Sequence, residues 1–250
     1  DNIFVPSGTE QENRLRWQIL RTLKDAGLSL VFVGIESFAP TQLRRFGKGT
    51  SPENHIKAIR LLESLNIELE LGLILFDPLV TLEELRVNVQ ALKKTGFWCY
   101  AGQLFSFLRP QVNTPYVKLL MQQGLLGELR VNTAEYTAFY QNDRAAYIAQ
   151  YCKEWNKNHH RLYTALRNVN RSELGTGRFV NAVHHYRYLQ LVILETLLEQ
   201  AGEENGGGGP DPHLWFKELA TITQELRSHL ESLSSRTSIE DHLLNMICSI

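Results

Sequence analysis

Short apolar, β-rich runs alternating with helix-patterned segments set the terms on which this chain can fold. Leu30-Val31-Phe32-Val33 is one such run and ends at Gly34; Leu69 to Leu75 is the next and ends in a turn at Asp77-Pro78. Before the first run, Leu15, Ile19, Leu20 and Leu23 have helical spacing, which predicts a helix from Leu15 to Ala26 with Gly27 as its C-cap. Between the runs, Ser51-Pro52-Glu53 opens a helix with Ser as N-cap and Pro at the first position, continuing through Ile56, Ile59, Leu62 and Leu65. Thr81 with Glu84 three residues on predicts a capping box, Gly96 ends that helix, and Trp98 to Leu108 reads as a further strand. Strand and helix alternating through short connections describe a parallel sheet with right-handed crossovers. Near-continuous apolar strands are expected where both faces are covered. The expectation is an α/β fold, a partial parallel (β/α) TIM-like barrel over residues 1–127, with its working groups at the C-terminal strand ends.

From about Gly127 the pattern changes, and residues 128–250 read as an all-helical C-terminal domain without strands. Tyr136 to Tyr163 is rich in aromatics, Phe179 to Ala201 is a long amphipathic helix and Leu214 to Leu233 another. Residues 203–212 hold Glu203-Glu204-Asn205, four glycines and Pro-Asp-Pro, a flexible linker. The glycine run lacks the Lys-Ser/Thr and the preceding strand of a phosphate loop. The aromatic band reads as core or domain-interface material, the alternative being one wall of a substrate pocket. Adjacent pairs His159-His160 and His184-His185 point about 100° apart on a helix, so neither is a ready chelate. Arg161, Arg167, Arg171 and Arg178 around Gly175-Thr176-Gly177 read as a solvated face before an anion site.

A net charge of −1 gives no electrostatic reason to seek nucleic acid or an anionic membrane. No apolar run approaches the roughly 20 residues that span a bilayer. The three cysteines, Cys99, Cys152 and Cys248, are too far apart for a disulfide framework or a metal knuckle. Free thiols and an opening that is neither basic nor apolar point to a cytoplasmic protein without a signal peptide. Asp1 is not a translation start, so further sequence is expected upstream.

Four segments, in order and at strand ends, together carry a resemblance. They are Asp1-Asn2-Ile3-Phe4; Val33-Gly34-Ile35-Glu36-Ser37 followed by Phe46-Gly47-Lys48-Gly49-Thr50; Gly72 to Pro78 followed by Thr81; and Arg109-Pro110 with Asn113-Thr114-Pro115-Tyr116 and Gly124-Leu125-Leu126. The set resembles the radical S-adenosylmethionine (SAM) enzymes, in the branch that often carries an N-terminal cobalamin-binding domain, and covers about residues 1–127. The resemblance implies a barrel of radical SAM type and an enzyme that reductively cleaves SAM to a 5′-deoxyadenosyl radical acting on a small-molecule or peptide substrate. It implies SAM and a 4Fe-4S cluster as cofactors, cobalamin as a candidate third, and an external electron donor such as flavodoxin or ferredoxin.

SAM is a zwitterion with a ribose and an adenine, so its cradle needs acceptors for an ammonium and for hydroxyls. Glu36 at a strand end can accept from either, Gly34 lets the backbone approach, and Ser37 can donate or accept beside it. By the resemblance, Asp1 and Asn2 lie near the methionine end and Ile74 packs along the adenine. Lys48, between two glycines, either reaches a carboxylate or is a solvated loop cation. Asp77-Pro78 is turn chemistry and Thr81 a helix cap, with no site role assigned.

The chain departs from the family pattern at Phe76, where glycine is usual, at Leu79-Val80, and at Arg109-Pro110-Gln111-Val112. One helix occupies the space between Phe4 and Val31, where the family places a helix, a strand and another helix. The family's cluster needs three thiolates in a CxxxCxxC loop, and no cysteines here have that spacing. The cluster ligands are therefore expected upstream of Asp1. The competing expectation is a degenerate, non-catalytic barrel that binds ligand but has lost the cluster. A third is a barrel enzyme with Glu36 and Asp77 as acid and base.

Overall fold

The structure, a computed structural model, describes residues 9–160, 163–164 and 177–202. Asp1 and Asn2, the linker at 203–212, the helix expected at Leu214–Leu233, Arg161, Arg167, Arg171 and Cys248 lie outside the described residues. The chain divides into two compact units, Asp1–Asn142 and Asp143–Ile250.

In the first unit, helix α1 (Glu10–Asp25) begins at a capping box in which Thr9 and Glu12 each accept from the other's backbone amide. None of its residues is buried, and Leu15, Ile19 and Leu23 lie exposed along one side. Strand β1 (Leu30–Glu36) follows, then the short helix α2 (Pro40–Arg45) and helix α3 (Pro52–Ser64), capped by Ser51 with Pro52 at its start. Strand β2 (Glu68–Leu73) pairs parallel with β1, Val33 opposite Leu71 and Gly34 opposite Gly72. Helix α4 (Leu82–Thr95) has the Thr81–Glu84 capping box and stops at Gly96, whose left-handed φ of 76° suits a residue without a Cβ.

Two expectations change here. Trp98 to Leu108 is not a strand: Phe97–Tyr100 is a 3₁₀ turn, and the rest pairs with β2 and the segment after it at the isolated parallel bridges Leu71–Ala101 and Phe76–Phe107. Between those bridges the backbone turns on itself, the Ser106 amide donating to the Leu104 carbonyl at 2.9 Å, which breaks the ladder. The parallel sheet is thus two short strands with a bridged third run, and its strands are not covered on both faces. Val33, Ile35, Leu69, Leu71 and Leu73 are buried on one side, while on the other Phe32 is 64% exposed. The described residues form an α/β, helix-rich fold with short sheets, and a barrel is not shown.

The second correction concerns the strands after Gly127. Following helix α5 (Pro115–Gln122), strands β3 (Leu126–Arg130) and β4 (Glu135–Ala138) form an antiparallel hairpin. It is pinned by an Arg109–Glu135 ion pair of 2.6 Å and by the Tyr136 amide donating to the Pro110 carbonyl at 2.9 Å. The Arg109–Val112 departure from the family pattern is the segment on which the hairpin docks.

The second unit is helical among its described residues. Helix α6 (Asp143–Asn158) buries Ala145, Ile148, Ala149, Cys152 and Trp155, an i, i+3, i+4 stripe. It packs against α7 (Gly177–Gly202), from which Tyr186, Leu189, Ile193 and Leu197 are buried. Arg144 near the start of α6 donates to the Ala201 carbonyl near the end of α7 at 2.7 Å, so the two helices run antiparallel.

Candidate functional site

The C-terminal ends of β1 and β2 gather the sequence-predicted residues. The strand pairing slips between Gly34 and Glu36, and Glu36 takes a left-handed φ of 61°. A non-glycine residue pays about 1 kcal/mol for that conformation. The slip lets the Glu36 carbonyl accept from the Ile74 amide at 2.7 Å, so the two residues stand side by side at the sheet's end. Lys48 reaches a carboxylate: its Nζ lies 3.1 Å from Glu36 Oε1. Gly34, Glu36, Lys48 and Ile74 therefore converge.

A Cβ on Gly34 would stand 2.9 Å from Glu36 Oε1, so the carboxylate end lies directly over this glycine. Gly34 belongs to a row. Gly72 pairs with Gly34, and Gly102 follows the Ala101 bridge to Leu71, its amide donating to the Leu71 carbonyl at 3.0 Å. A Cβ on Gly72 would meet the Phe32 ring at 2.5 Å, and one on Gly102 would meet Glu70 Oε1 at 2.8 Å. The open face of the sheet thus has a glycine floor across three adjacent segments, overlaid by Glu36, Phe32 and Glu70.

Ser37 is placed differently. It is fully buried, its hydroxyl donating to Gln42 Oε1 at 2.6 Å and accepting from the Ala39 amide at 2.9 Å. Asn88 receives the Phe38 amide at 2.6 Å and donates to Gln42 Oε1 at 3.1 Å. With its hydroxyl also 3.0 Å from Asn88 Oδ1, a second acceptor for its single proton, Ser37 fastens the chain leaving β1 to α2 and α4.

Beside this lies an ionic cluster. Arg45 forks onto Asp77 (Nε 3.0 Å, Nη2 2.9 Å) and onto Glu84 (Nη1 2.9 Å, Nη2 2.8 Å). Asp77 is fully buried and also accepts from Gln42 Nε2 at 2.8 Å, the Leu79 amide at 3.0 Å and the Tyr116 hydroxyl. Thr41 donates to Glu84 at 2.6 Å. Burial pushes the Glu84 carboxyl up, but hydrogen bonds from Arg45, Thr41 and the Thr81 amide outweigh it, and its pKa lies below the ordinary value. Burial likewise opposes the Arg45 charge, and its bonds to Glu84 and Asp77 prevail, raising its pKa. The Tyr116 hydroxyl is pushed up by burial and by the Asp77 charge.

Asp77 thus does more than turn the chain, and as the centre of an ion-paired cluster it is poorly placed for acid–base work. Thr81 keeps its capping role and also brings Glu84 into the cluster. Phe76, the departure from glycine, is fully buried and stacks on Phe107 with ring centroids 5.0 Å apart.

Sequence reasoning missed Gln42, Arg45, Asn88 and Tyr116, whose roles depend on partners 32 to 51 positions away. It also missed His55 on α3, which is 4% exposed with both ring nitrogens unpartnered. Burial first, then the charge of Lys48, holds the His55 pKa down to about 4. The described cysteines are a half-buried Cys99 and a buried Cys152, one in each unit. Among the described residues no three His, Cys, Asp or Glu side chains come together as a metal site, and no helix is long and apolar enough to cross a membrane.

No protein-family model matches the chain. It is 38% identical over 96 residues to the 4'-phospho-dehydrooxetanocin synthase of Priestia megaterium, a match covering 38% of this chain and 13% of that protein. It is 26% identical over 131 residues to an uncharacterised methyltransferase of Pyrococcus horikoshii, covering 52% of this chain and 28% of the relative. The chain thus spans well under a third of the curated relatives it matches. Among solved structures it is similar over its whole length to the cobalamin-dependent S-adenosylmethionine radical enzyme OxsB with aqua-cobalamin bound, at a TM-score of 0.77 and 18% identity, covering 45% of that chain. The same enzyme with aqua-cobalamin and S-adenosylmethionine bound matches at a TM-score of 0.77 and 17% identity, again covering 45% of that chain. In local sequence and in fold, the chain resembles a portion of a cobalamin-dependent radical SAM enzyme.

Proposed function

We propose that this chain is the SAM-cradling portion of a radical SAM enzyme, with SAM lying along the open face of the β1–β2 sheet at its strand ends. The observation that carries the reading is the convergence of Glu36, Gly34 and Ile74 at the ends of two parallel strands, over a floor of three glycines. The donor set fits the molecule. Glu36 accepts from the ribose hydroxyls or the ammonium. The half-buried Ile74 with the exposed Phe32 ring, which lies over Gly72, gives an adenine apolar surface. The Arg45–Asp77–Glu84 cluster and the Ser37–Gln42–Asn88 network hold both strand ends and the α2 end in register, so that the cradle is preorganised. Held by Glu36, Gly34 and Ile74, SAM would supply one-electron reductive cleavage of its C–S bond, with methionine as the leaving group and the adenosyl fragment as the hydrogen acceptor.

The rest belongs to the whole protein. Cys99 and Cys152 do not fit a cluster loop, so the 4Fe-4S ligands are assigned upstream of residue 1, and no step is routed through the described cysteines. The bound cobalamin of OxsB supports cobalamin as a further cofactor. An electron donor of flavodoxin or ferredoxin type, a small-molecule or peptide substrate and a cytoplasmic setting complete the proposal.

The test is calorimetric titration of SAM into the anaerobically reconstituted full-length protein, followed by chromatography for 5′-deoxyadenosine. Glu36→Gln is expected to weaken SAM roughly tenfold, the value of a hydrogen bond to a charged group. Equal binding by wild type and variant removes Glu36 from the cradle. Binding without 5′-deoxyadenosine under reducing conditions removes the radical chemistry.

A further inference from the structure

Glu36 carries the carboxylate best placed to receive a ligand's donors, yet its Oε1 is held by Lys48 Nζ at 3.1 Å. The same oxygen stands 2.9 Å from where a Cβ on Gly34 would be, so the carboxylate is folded back onto its own strand. The pair is not sealed: the Lys48 and Glu36 side chains are 26% and 19% exposed. An ion pair with that much access to water is weak, and breaking it is easy.

The backbone around Lys48 is fixed to the end of α2, the Lys48 amide donating to the Leu43 carbonyl at 2.9 Å and the Gly47 amide to the Arg44 carbonyl at 3.0 Å, so any exchange belongs to the lysine side chain. Gly47 has a left-handed φ of 69°, and a Cβ on either Gly47 or Gly49 would meet nothing within 4 Å. The lysine therefore sits between two residues with open space around them. Immediately before them the chain is fixed, because Arg45 is clamped to Asp77 and Glu84. A long cationic side chain, partly exposed and standing on a fixed backbone, is positioned to occupy Glu36 and then leave it.

We propose that Lys48 is a placeholder, whose ammonium holds the Glu36 carboxylate until the hydroxyls or ammonium of an adenosyl amino acid displace it. Lys48 then sets the affinity and selectivity of the site by competition. This rests on the SAM reading above. It differs from a direct contact between Lys48 and the ligand carboxylate, which gives the opposite sign on mutation.

The experiment is calorimetric titration of the full-length protein with SAM and with S-adenosylhomocysteine, which lacks the sulfonium charge. Lys48→Met frees Glu36 and is expected to tighten both ligands by roughly two- to fivefold, the range an exposed ion pair supplies. Lys48→Arg restores a partner for Glu36 and is expected to return both affinities to the wild-type level. Unchanged or weaker binding of either ligand to Lys48→Met overturns the placeholder. Tightening confined to SAM also overturns it, since loss of a like charge explains that result. If Glu36→Gln binds both ligands as wild type does, the SAM reading itself has failed, and the placeholder fails with it.

Discussion

At the scale of single residues, the family resemblance singled out Glu36 and Gly34, and chemistry gave the choice a reason, since a strand-end carboxylate beside a glycine suits a zwitterionic nucleoside. Neither revealed that Ser37 is buried or that Lys48 is paired, because both facts depend on which way a loop returns. His55 was invisible for the same reason: its place on α3 looks ordinary, and only packing removes both ring nitrogens from water. That burial has a measurable consequence. The folded pKa of about 4 lies below the ordinary histidine value of 6.5, so between those values the unfolded chain takes up a proton that the folded chain refuses. Stability from this group is therefore full above pH 6.5 and falls as the pH drops toward 4, by up to about 1.4 kcal/mol per unit. His55→Leu is expected to flatten the acid limb by roughly 2 kcal/mol between pH 6.5 and 5 in urea unfolding. His159, also lowered by burial, contributes equally to both proteins and cancels in the comparison. An unchanged slope shows that His55 is hydrated in the folded state.

At the scale of elements, the helix boundaries were the most legible, because a cap is local chemistry. Ser51 with Pro52, the Thr81–Glu84 box and the Gly96 stop are all where the sequence puts them. The β3–β4 hairpin was hidden because its residues are half-buried or exposed, so neither strand shows an apolar alternation. The run from Trp98 to Leu108 misled in the opposite sense. Its apolar residues, Ala101, Leu104 and Phe105 among them, are buried without forming a ladder. Local and tertiary contributions separate in magnitude. Thr81→Ala removes one exposed cap and is expected to cost about 1 kcal/mol. Phe76→Ala empties a fully buried site stacked on Phe107 and is expected to cost roughly 3–5 kcal/mol. Denaturant midpoints of the two variants check the ranking, and equal losses contradict the placement of Phe76 in the core.

At the scale of the whole molecule, the α/β character of the first unit and the helices α6 and α7 among the described residues of the second were legible from periodicity. Closure of the sheet into a barrel is a property of strands paired around a ring, which the described residues do not show. The two compact units make a prediction of their own. Arg45→Met strands the Asp77 and Glu84 carboxylates in the interior of the first unit, at roughly 3–5 kcal/mol. Hydrogen exchange read by mass spectrometry is expected to quicken in α2, β2 and α4 while the α6–α7 pair keeps its protection. Equal loss in both would mean that the chain opens as one cooperative body. The glycine floor, finally, constrains how this molecule can change over time. Gly34, Gly72 and Gly102 each lie under a side chain from the same face, two of them from a neighbouring strand or its bridged extension. A methyl group at Gly72 becomes tolerable once the ring at Phe32 has shrunk or swung aside, so that floor position and the ring above it vary as a pair, while Gly34 and Gly102 lie under glutamate ends that can shift by themselves.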